Sequence, residues 1–266
     1  MGIINITPDS FFAGSRKTDE DSLLIQAEKM LNDGADFLDV GAYSSRPGAT
    51  DISVQEEIDR LLPGVEAITK NYPEAIISVD TFRADVAEAA IKAGAHIIND
   101  IAGGELDNKM FATVARLQVP YILMHMKGNP QTMQQLAEYD DAFGEVYDYF
   151  TKKIYALRQL GVHDIIIDPG FGFAKKAEHS YALMNRMQEF ERLKLPLFAG
   201  ISRKKMIYDL LGVTAEEALN GTTALNTIAL MKGANILRVH DVKEAVEAVA
   251  IFNTVTLGDN KYLLPK

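Results

Sequence analysis

Short apolar runs, most of them rich in β-branched residues, recur along the whole chain. They lie at residues 2–6, 37–40, 76–79, 97–98, 121–124, 165–167, 197–201 and 236–239. Each run is too short for a helix and lacks a strict alternation of polar and apolar residues, which is typical of strands buried on both faces of a parallel sheet. The pattern therefore predicts eight buried strands.

Amphipathic patterns with helical spacing separate these runs. We predict helices over residues 21–33, 84–93, 139–160 and 222–232, and a Gly-Ala pair follows three of them, as expected where a helix stops. Eight strands that each lead into a helical segment predict an α/β protein with a (β/α)₈ (TIM) barrel. An open doubly wound sheet is the alternative, but no G-x-G-x-x-G follows the first strand.

The composition narrows the possible classes of function. The chain has no cysteine, which excludes thiolate catalysis and Cys-ligated metals, and its formal net charge is −10. An acidic chain without basic runs is a poor candidate for binding nucleic acid or an anionic membrane. No apolar stretch approaches the roughly 18–20 residues of a membrane-spanning helix. The lack of cysteine fits a reducing compartment, so we predict a cytoplasmic protein. Since the composition does not change abruptly and no linker is visible, we predict one domain over residues 1–266.

Polar or ionisable residues follow almost every predicted strand. They are Asn5, Asp39, Asp80, Asn99, Asp100, His125, Asp168, Ser202, Arg203, Lys204, Arg238 and His240. Each has an ordinary structural explanation, such as a helix cap or a salt bridge. In a barrel, however, all these positions converge on the carboxyl-terminal end, where active sites form. Their convergence predicts a site for a single ligand.

The chemical types of these residues suggest two halves of the site. Asp80, Asn99 and Asp168 can pair with the N–H groups of a flat nitrogen heterocycle. Arg238 and His240, two residues apart and expected on one side of the last strand, resemble an anion cradle together with Asn5. Lys204 is a further cation. A magnesium ion held on a diphosphate by one or two protein oxygens is compatible with this set.

The stretch IIIDPGFGF at residues 165–173 places an acid at the end of a buried strand. One interpretation is that Asp168 sits deep and binds the heterocycle, while Gly170 and Gly172 let the loop bend close to it and Phe173 covers the ring. The alternative is that Asp168 caps a helix and the phenylalanines belong to the core.

Eight motifs in a fixed order carry a family resemblance. They are NITPDSF at 5–11, SSRPGA at 44–49, SVDT at 78–81, IND at 98–100, LMHM at 123–126, DPGFGF at 168–173, GISRK at 200–204 and RVHD at 238–241. With these motifs the sequence resembles dihydropteroate synthase, a family of (β/α)₈ barrels in folate biosynthesis and a target of sulfonamides. The resemblance implies the condensation of 6-hydroxymethyl-7,8-dihydropterin diphosphate with p-aminobenzoate to 7,8-dihydropteroate and pyrophosphate, with Mg²⁺.

The resemblance also implies roles for individual residues. The pterin would contact Asp80, Asn99, Met124, Asp168, Phe173 and Lys204. The diphosphate would contact Asn5, Arg46, Arg238 and His240, with Asn5 also near the metal. The aminobenzoate would lie by Ser45, Arg46, Pro47, Phe173 and Lys204. Catalysis would depend on Asn5, Lys204, Arg238 and His240.

Some features depart from the family pattern or leave alternatives open. Ala13 and Tyr43 stand where acids are common, and Lys205 stands where Ser is usual.

Family members are commonly homodimers, so we expect a homodimer. We expect the loops at 7–18 and 42–51 to be mobile without ligand. A methyltetrahydrofolate-dependent methyltransferase and a catalytically silent pterin-binding paralogue remain as alternative functions.

Overall fold

The structure, a computed structural model, describes residues 1–6, 16–44 and 51–257. Within these ranges, parallel strands alternate with helices along the chain. The strands are β1 (Gly2–Asn5), β2 (Phe37–Gly41), β3 (Ile76–Asp80), β4 (Ile97–Asp100), β5 (Tyr121–Met124), β6 (Ile165–Asp168), β7 (Phe198–Ala199) and β8 (Ile236–Leu237). Each coincides with one of the apolar runs, so the prediction of eight strands is confirmed.

The strands close into a barrel. Strands β1 to β6 form one parallel sheet in sequence order, and β7 pairs with β8. Single bridges join the two parts: Ile167 pairs with Leu197 next to β7, and Gly2 pairs with Val239 just past β8. The neighbours of every strand are thus the strands before and after it, which confirms the (β/α)₈ barrel and excludes the open sheet.

Helices of the described residues surround the barrel. They are α1 (Arg16–Asn32), α2 (Val54–Asn71), α3 (Ala84–Lys92), α4 (Met110–Leu117), α5 (Ala142–Gln159), α6 (Ala177–Arg186), α7 (Lys205–Leu211), α8 (Leu219–Met231) and α9 (Val242–Leu257), with a 3₁₀ segment at Met187–Leu193. None of those within the described ranges is long and apolar enough to cross a bilayer.

Several predicted boundaries were wrong. The helix predicted over 139–160 begins only at Ala142, because the Asp141 side chain accepts a hydrogen bond from Phe143 N at 3.1 Å and caps it there. The helix predicted over 21–33 begins earlier, at Arg16. Strands β7 and β8 have two residues each and are shorter than their apolar runs. No helix was predicted over the segment that forms α2, which carries Pro63 in its interior.

Two smaller apolar clusters lie at the ends of the barrel, apart from the main core between strands and helices. Met1, Ile97, Ile122 and Phe198 pack at the amino-terminal ends of the strands. At the carboxyl-terminal end, which we call the mouth, the buried cluster is Phe82, Ile101, Ala102, Met124, Met126, Met133 and Ala174, with Tyr43 and Phe173 partly buried against it. The mouth therefore has an apolar wall beside its polar groups.

The loops expected to be mobile lie largely outside the described residues. Residues 7–15 and 45–50 are not described, and this includes Ala13 and the predicted aminobenzoate residues Ser45, Arg46 and Pro47. That the whole chain forms one domain stays a prediction, since residues 258–266 are not described either.

A buried acid under the mouth links two neighbouring strands. Asp100, at the end of β4, accepts hydrogen bonds from Ala102 N and Gly104 N at 2.8 Å each and from the Tyr121 hydroxyl at 2.6 Å. Burial raises the pKa of Asp100, and these three donors oppose that rise. Because Tyr121 begins β5, the bond fixes β5 to the loop that follows β4.

Replacing Tyr121 with Phe removes only this hydroxyl from a fully buried ring. We expect the free energy of unfolding to fall by about 1.5–3 kcal/mol, because a hydrogen bond to a buried carboxylate is lost without a change in packing. Urea unfolding measures the loss, and Tyr155→Phe is the matched control because Tyr155 is 67% exposed. Equal losses in the two variants would show that the Asp100–Tyr121 bond contributes nothing.

Candidate active site

The register of the strands brings the predicted pterin residues together in two pairs. Asp80, the last residue of β3, lies opposite Asn99 in β4. Met124, the last residue of β5, lies opposite Asp168, the last residue of β6. Because parallel strands all end at the same face of the barrel, the polar groups and Met124 lie at the mouth.

Arg238 joins two carboxylates from across the barrel. Its Nε donates to Oδ2 of Asp39 at 2.6 Å, and its Nη2 donates to Oδ2 of Asp80 at 2.7 Å. The amide of Asn99 donates to the same Oδ2 of Asp39 at 3.1 Å. Asp39 is fully buried, and its Oδ1 has no partner within the described part of the chain. These four side chains form one network, which we call the acid–arginine network.

Sequence reasoning missed the role of Asp39. It names Asp39 among the polar residues of the strands but not among the site residues. A signal was present, because Asp39 is the one charged residue within the apolar run of residues 37–40. A charge in a buried strand needs a partner, and the partner here is Arg238, which follows β8.

Asp168 lies deep and shapes the turn that follows it. It is 5% exposed, and its Oδ1 accepts a hydrogen bond from Gly170 N at 2.8 Å. Gly170 has φ +70°, and a Cβ there would lie 2.2 Å from the carbonyl oxygen of His125, so only glycine fits. The helix-cap alternative was wrong, since the N-cap residue of α6, the next helix, is Lys176.

The two phenylalanines of this loop have different environments. Phe171 is fully buried in the main core, whereas Phe173 is only partly buried and packs on the apolar wall of the mouth. The core interpretation therefore holds for Phe171, and Phe173 is placed where a ligand could meet it.

Lys204 contacts this loop directly. Its Nζ donates to the Phe171 carbonyl at 2.6 Å and lies 4.5 Å from the centre of the Phe173 ring. Burial lowers the pKa of Lys204 to about 8, with the carboxylate of Asp168 opposing that fall. The ammonium of Lys204 thus contacts the loop after β6 and is attracted by the carboxylate of Asp168.

The two predicted pterin carboxyls differ in exposure, since Asp168 is buried and the side chain of Asp80 is 18% exposed. Burial raises the pKa of Asp168, and Lys204 is the strongest opposing influence. Burial raises the pKa of Asp80 to about 7, although Arg238 lowers it. Both acids can accept hydrogen bonds from a ligand. They lose most of their hydration when the protein folds, so binding a ligand requires little further desolvation of these groups.

Arg238 and His240 have different polar contacts, and whether their side chains share one side of the last strand stays a prediction. β8 ends at Leu237, so both residues lie beyond it. Arg238 turns towards the carboxylates, with its side chain 19% exposed. His240 is exposed; its Nδ1 lies 3.0 Å from Oγ of Ser202, and its backbone N donates to the same Oγ at 3.2 Å.

Two departures from the family pattern have clear surroundings. The ammonium of Lys205 pairs with Asp209 at 2.9 Å, one turn along α7, and its side chain is 77% exposed. The hydroxyl of Tyr43 donates to Asp51 and accepts from Gln131, both at 3.1 Å. Arg83 lies over the Tyr43 ring and also pairs with Asp51. Neither residue supplies a charge to the mouth.

Asn5 is the one predicted metal residue. It ends β1 at the mouth, where it is exposed and offers an amide oxygen. In residues 1–6, 16–44 and 51–257, no group of three or more His, Asp or Glu residues could hold a metal ion. A divalent ion at Asn5 would therefore take most of its ligands from substrate oxygens and water, which is the usual manner of Mg²⁺ on a diphosphate.

The fold and the mouth together define a barrel enzyme whose buried acids, amide and cations face a small-molecule site. Residues 1–240 match the family described as pterin binding enzyme. The dihydropteroate synthase of Escherichia coli (strain K12) is 46% identical over 264 residues, which cover 98% of this chain and 93% of that protein.

Solved structures agree with this match. The Yersinia pestis dihydropteroate synthase, in complex with a sulfonamide drug, is 41% identical, with a TM-score of 0.89 over 96% of this chain and 93% of that chain. The Xanthomonas albilineans dihydropteroate synthase in complex with 7,8-dihydropteroate is 34% identical, with a TM-score of 0.86 over 96% and 92% of the two chains. The chain belongs to the pterin-binding enzyme family, among the dihydropteroate synthases.

Replacing Arg238 with Met leaves Asp39 and Asp80 without their cation. We expect this to lower the free energy of unfolding by about 3 kcal/mol at pH 8, because a buried ion pair is broken from one side. The pKa of Asp80 is raised to about 7 in the folded protein. As the pH falls from 8 to 5, Asp80 of the wild type therefore gains a proton, and the attraction between Asp80 and Arg238 weakens. The loss should therefore be smaller at pH 5.

Urea unfolding of both proteins at the two pH values measures this difference. Lys205→Met is the control, since it removes an exposed cation whose partner is also in water. A loss in Arg238→Met that does not depend on pH would mean that the Arg238–Asp80 pair is not what the substitution breaks.

Proposed function

We propose that the protein is a dihydropteroate synthase, which condenses 6-hydroxymethyl-7,8-dihydropterin diphosphate with p-aminobenzoate and releases pyrophosphate. The observation that carries this proposal is the 46% identity to the Escherichia coli enzyme over 98% of the chain. The acids, amide and cations at the mouth supply groups that suit both halves of the first substrate. We also propose a cytoplasmic location.

The pterin binds to Asp80, Asn99 and Asp168. Among the described residues, the hydrogen-bond donor to Asp168 is Gly170 N, which occupies Oδ1. Its other oxygen can accept from a ring N–H or amino group, and such bonds to a buried carboxylate are strong. Met124 and Phe173 provide apolar surface for the ring, and Lys204 lies at its edge.

The diphosphate binds where cations meet the mouth. Arg238 uses Nε and Nη2 for the two carboxylates, so its Nη1 can donate to a phosphate oxygen. His240, Asn5 and Arg46 complete the group. The C–O bond to the leaving diphosphate breaks with its electron pair, and cations that face the departing oxygens stabilise that charge.

The methylene carbon becomes a cation that the electron-rich pterin delocalises. Asp80 and Asp168 lie beside the ring and stabilise the positive charge. The lone pair of the arylamine then forms the C–N bond, and the nitrogen loses a proton. This is an SN1-like displacement that needs no covalent enzyme intermediate, which suits a chain without cysteine.

We propose Mg²⁺ as the metal, held by Asn5 together with the diphosphate. Bound there, a divalent cation would supply positive charge against the leaving group. The amide oxygen of Asn5 is a ligand type that Mg²⁺ accepts, and its exposure at the end of β1 leaves room for water and phosphate ligands.

The aminobenzoate contacts Phe173 and Lys204 and, as the family resemblance implies, also Ser45, Arg46 and Pro47. Lys204 supports this arrangement because its ammonium contacts the Phe173 ring and is attracted by Asp168. It can therefore border both the pterin pocket and the aminobenzoate pocket.

The two alternative functions lead to different outcomes. A methyltetrahydrofolate-dependent methyltransferase has no need of a diphosphate site, and Arg238 and His240 count against it. A silent paralogue would bind the pterin without turnover. Release of pyrophosphate from the pterin diphosphate, with and without p-aminobenzoate and with and without Mg²⁺, tests the proposal. Pyrophosphate and dihydropteroate formed in equal amounts support it, and pterin binding without either product contradicts it.

Replacing Asp168 with Asn keeps the shape but exchanges a charged acceptor for an amide. We expect pterin binding to weaken by about 2–3 kcal/mol, the loss of a charged hydrogen bond at a buried site. Calorimetry with a phosphate-free pterin measures it. Asp164→Asn is the matched control, because Asp164 is exposed before the opposite end of β6. Wild-type pterin affinity in Asp168→Asn would remove Asp168 from the pterin site.

We propose that the protein forms a homodimer through its last helices. Exposed apolar side chains there are Leu210 and Leu211 of α7, Ile228 and Met231 of α8, and Ile251 and Val255 of α9. Because α8 packs on both α7 and α9, these residues offer apolar surface on neighbouring helices, which suits an interface.

Sedimentation at micromolar concentration should give twice the monomer mass of 29.3 kDa. A charge at Met231, which is 71% exposed, should dissociate the dimer because the charge would be buried in it. Ile25→Asp on α1 is the control, at a similar exposure of 67%. A wild-type monomer, or a dimer that survives Met231→Asp, would contradict this interface.

A further inference from the structure

Lys175 is a buried lysine next to the mouth that none of the roles above uses. It follows Phe173 by two residues and is 3% exposed. Its Nζ lies 2.8 Å from Nδ1 of His125 and donates to three backbone carbonyls, those of His125 at 3.1 Å, Gly170 at 3.1 Å and Phe173 at 3.0 Å. Lysine is almost never buried unless it is paired. These four contacts replace the water that Lys175 Nζ loses on burial.

The contacts join three separate points of the mouth. His125 follows the end of β5, while Gly170 and Phe173 lie at the two ends of the turn that follows β6. That turn has an unusual backbone, since φ is +70° at Gly170, +79° at Gly172 and +47° at Ala174. Alanine adopts such a conformation only when its surroundings hold it. Lys175 contacts the carbonyls of Gly170 and Phe173 in this segment, and we call its four contacts the lysine clip.

The clip does not depend on one protonation state. Burial lowers the pKa of Lys175 well below its ordinary value, although Asp168 raises it. Burial and the nearby Lys175 lower the pKa of His125, so its ring is neutral. An ammonium has three N–H donors for the three carbonyls and Nδ1, whereas a neutral amine has two donors for the carbonyls and a lone pair that can accept from Nδ1–H. In either state at least two of the three carbonyls can keep a donor.

The turn carries the two contacts that locate Lys204. The Phe171 carbonyl accepts from Lys204 Nζ at 2.6 Å, and the Phe173 ring lies 4.5 Å from the same atom. Asp80 and Asn99, by contrast, are held by the acid–arginine network on the other side of the mouth. Movement of the turn would thus displace Phe173 and Lys204 more than the far pterin contacts.

We propose that Lys175 is a positioning residue for the arylamine substrate: the lysine clip fixes the turn at residues 170–173, which sets Phe173 and Lys204 for the second substrate. The proposal rests on the proposed function for the identity of that substrate. Lys175 itself touches neither substrate. Its effect is transmitted through the backbone carbonyls of the turn.

Lys175→Met keeps the aliphatic stem and removes the donor. We expect the KM for p-aminobenzoate to rise about tenfold, the effect of one lost charged hydrogen bond on a placed group. Affinity for a phosphate-free pterin should fall less, because Asp80 and Asn99 are held by the acid–arginine network, although Asp168, Phe173 and Lys204 also contact the pterin in the proposed function. Lys176→Met is the matched control, because Lys176 is the next residue and is exposed, and it should behave as the wild type does.

A double-mutant cycle separates positioning from a general loss of stability. If Lys175 acts through the turn, then in a Phe173→Ala background the substitution Lys175→Met should raise the aminobenzoate KM far less than in the wild type. Equal rises in both backgrounds would overturn the proposal. So would a Lys175→Met protein that melts at a lower temperature but keeps both substrate constants.

A fluorescence arm tests the clip without any turnover. The chain has no tryptophan, so Phe173→Trp provides a single reporter in the turn. Lys175→Met in that background should increase acrylamide quenching of the tryptophan, while Lys176→Met should not. If the wild type releases no pyrophosphate, the proposed function fails, and this arm still decides whether Lys175 holds the turn. Unchanged quenching would overturn the proposal.

Lys175→Arg covers the case in which Lys175→Met does not fold. The guanidinium keeps a positive charge, but its planar fork cannot converge on one point as Nζ does. We expect both the aminobenzoate KM and the quenching of the tryptophan to rise, but by less than in Lys175→Met. A folded Lys175→Arg protein with wild-type values in both measurements would overturn the proposal.

Discussion

The burial of Asp39 and Asp80 beside one guanidinium is the constraint on which the mouth of the barrel depends. Two carboxylates out of water are costly unless a cation is shared between them. Arg238 meets that need, with bonds of 2.6 and 2.7 Å to the two acids. In the function we propose, the same guanidinium also binds the leaving diphosphate. Structure and chemistry would then use the same charges, and a ligand would meet acids whose orientation is already fixed.

The barrel could be predicted from the sequence because its signal is local. Residues 121–124, for example, were predicted as a strand and form β5 without change, since both faces are buried and every residue is apolar. Element ends were less accessible. The start of α5 is set by the side chain of Asp141, and the shortness of β8 depends on its pairing with β7, so neither follows from the apolar pattern alone.

The site was predictable in composition but not in connectivity. Asp80, Asn99 and Asp168 lie at or near the carboxyl ends of strands, and their place at the mouth was predicted from that position. The partner of Asp39 lies 199 residues away, and nothing in a single sequence links such positions. Lys175 gave no signal at all, because a lysine beside Lys176 reads as an exposed residue. Its burial is a property of the turn around it, which takes shape only when β5 and β6 lie side by side.

The barrel has two seams, and the guanidinium of Arg238 reaches across one of them. Continuous ladders unite the first six strands, whereas single bridges join that sheet to the last pair. The acids belong to the sheet and Arg238 to the last pair. Arg238 bonds to Asp39 of the sheet across the seam at β1, and to Asp80 as well. A truncation before residue 238 would therefore leave both acids without the cation that the end of the chain supplies to them.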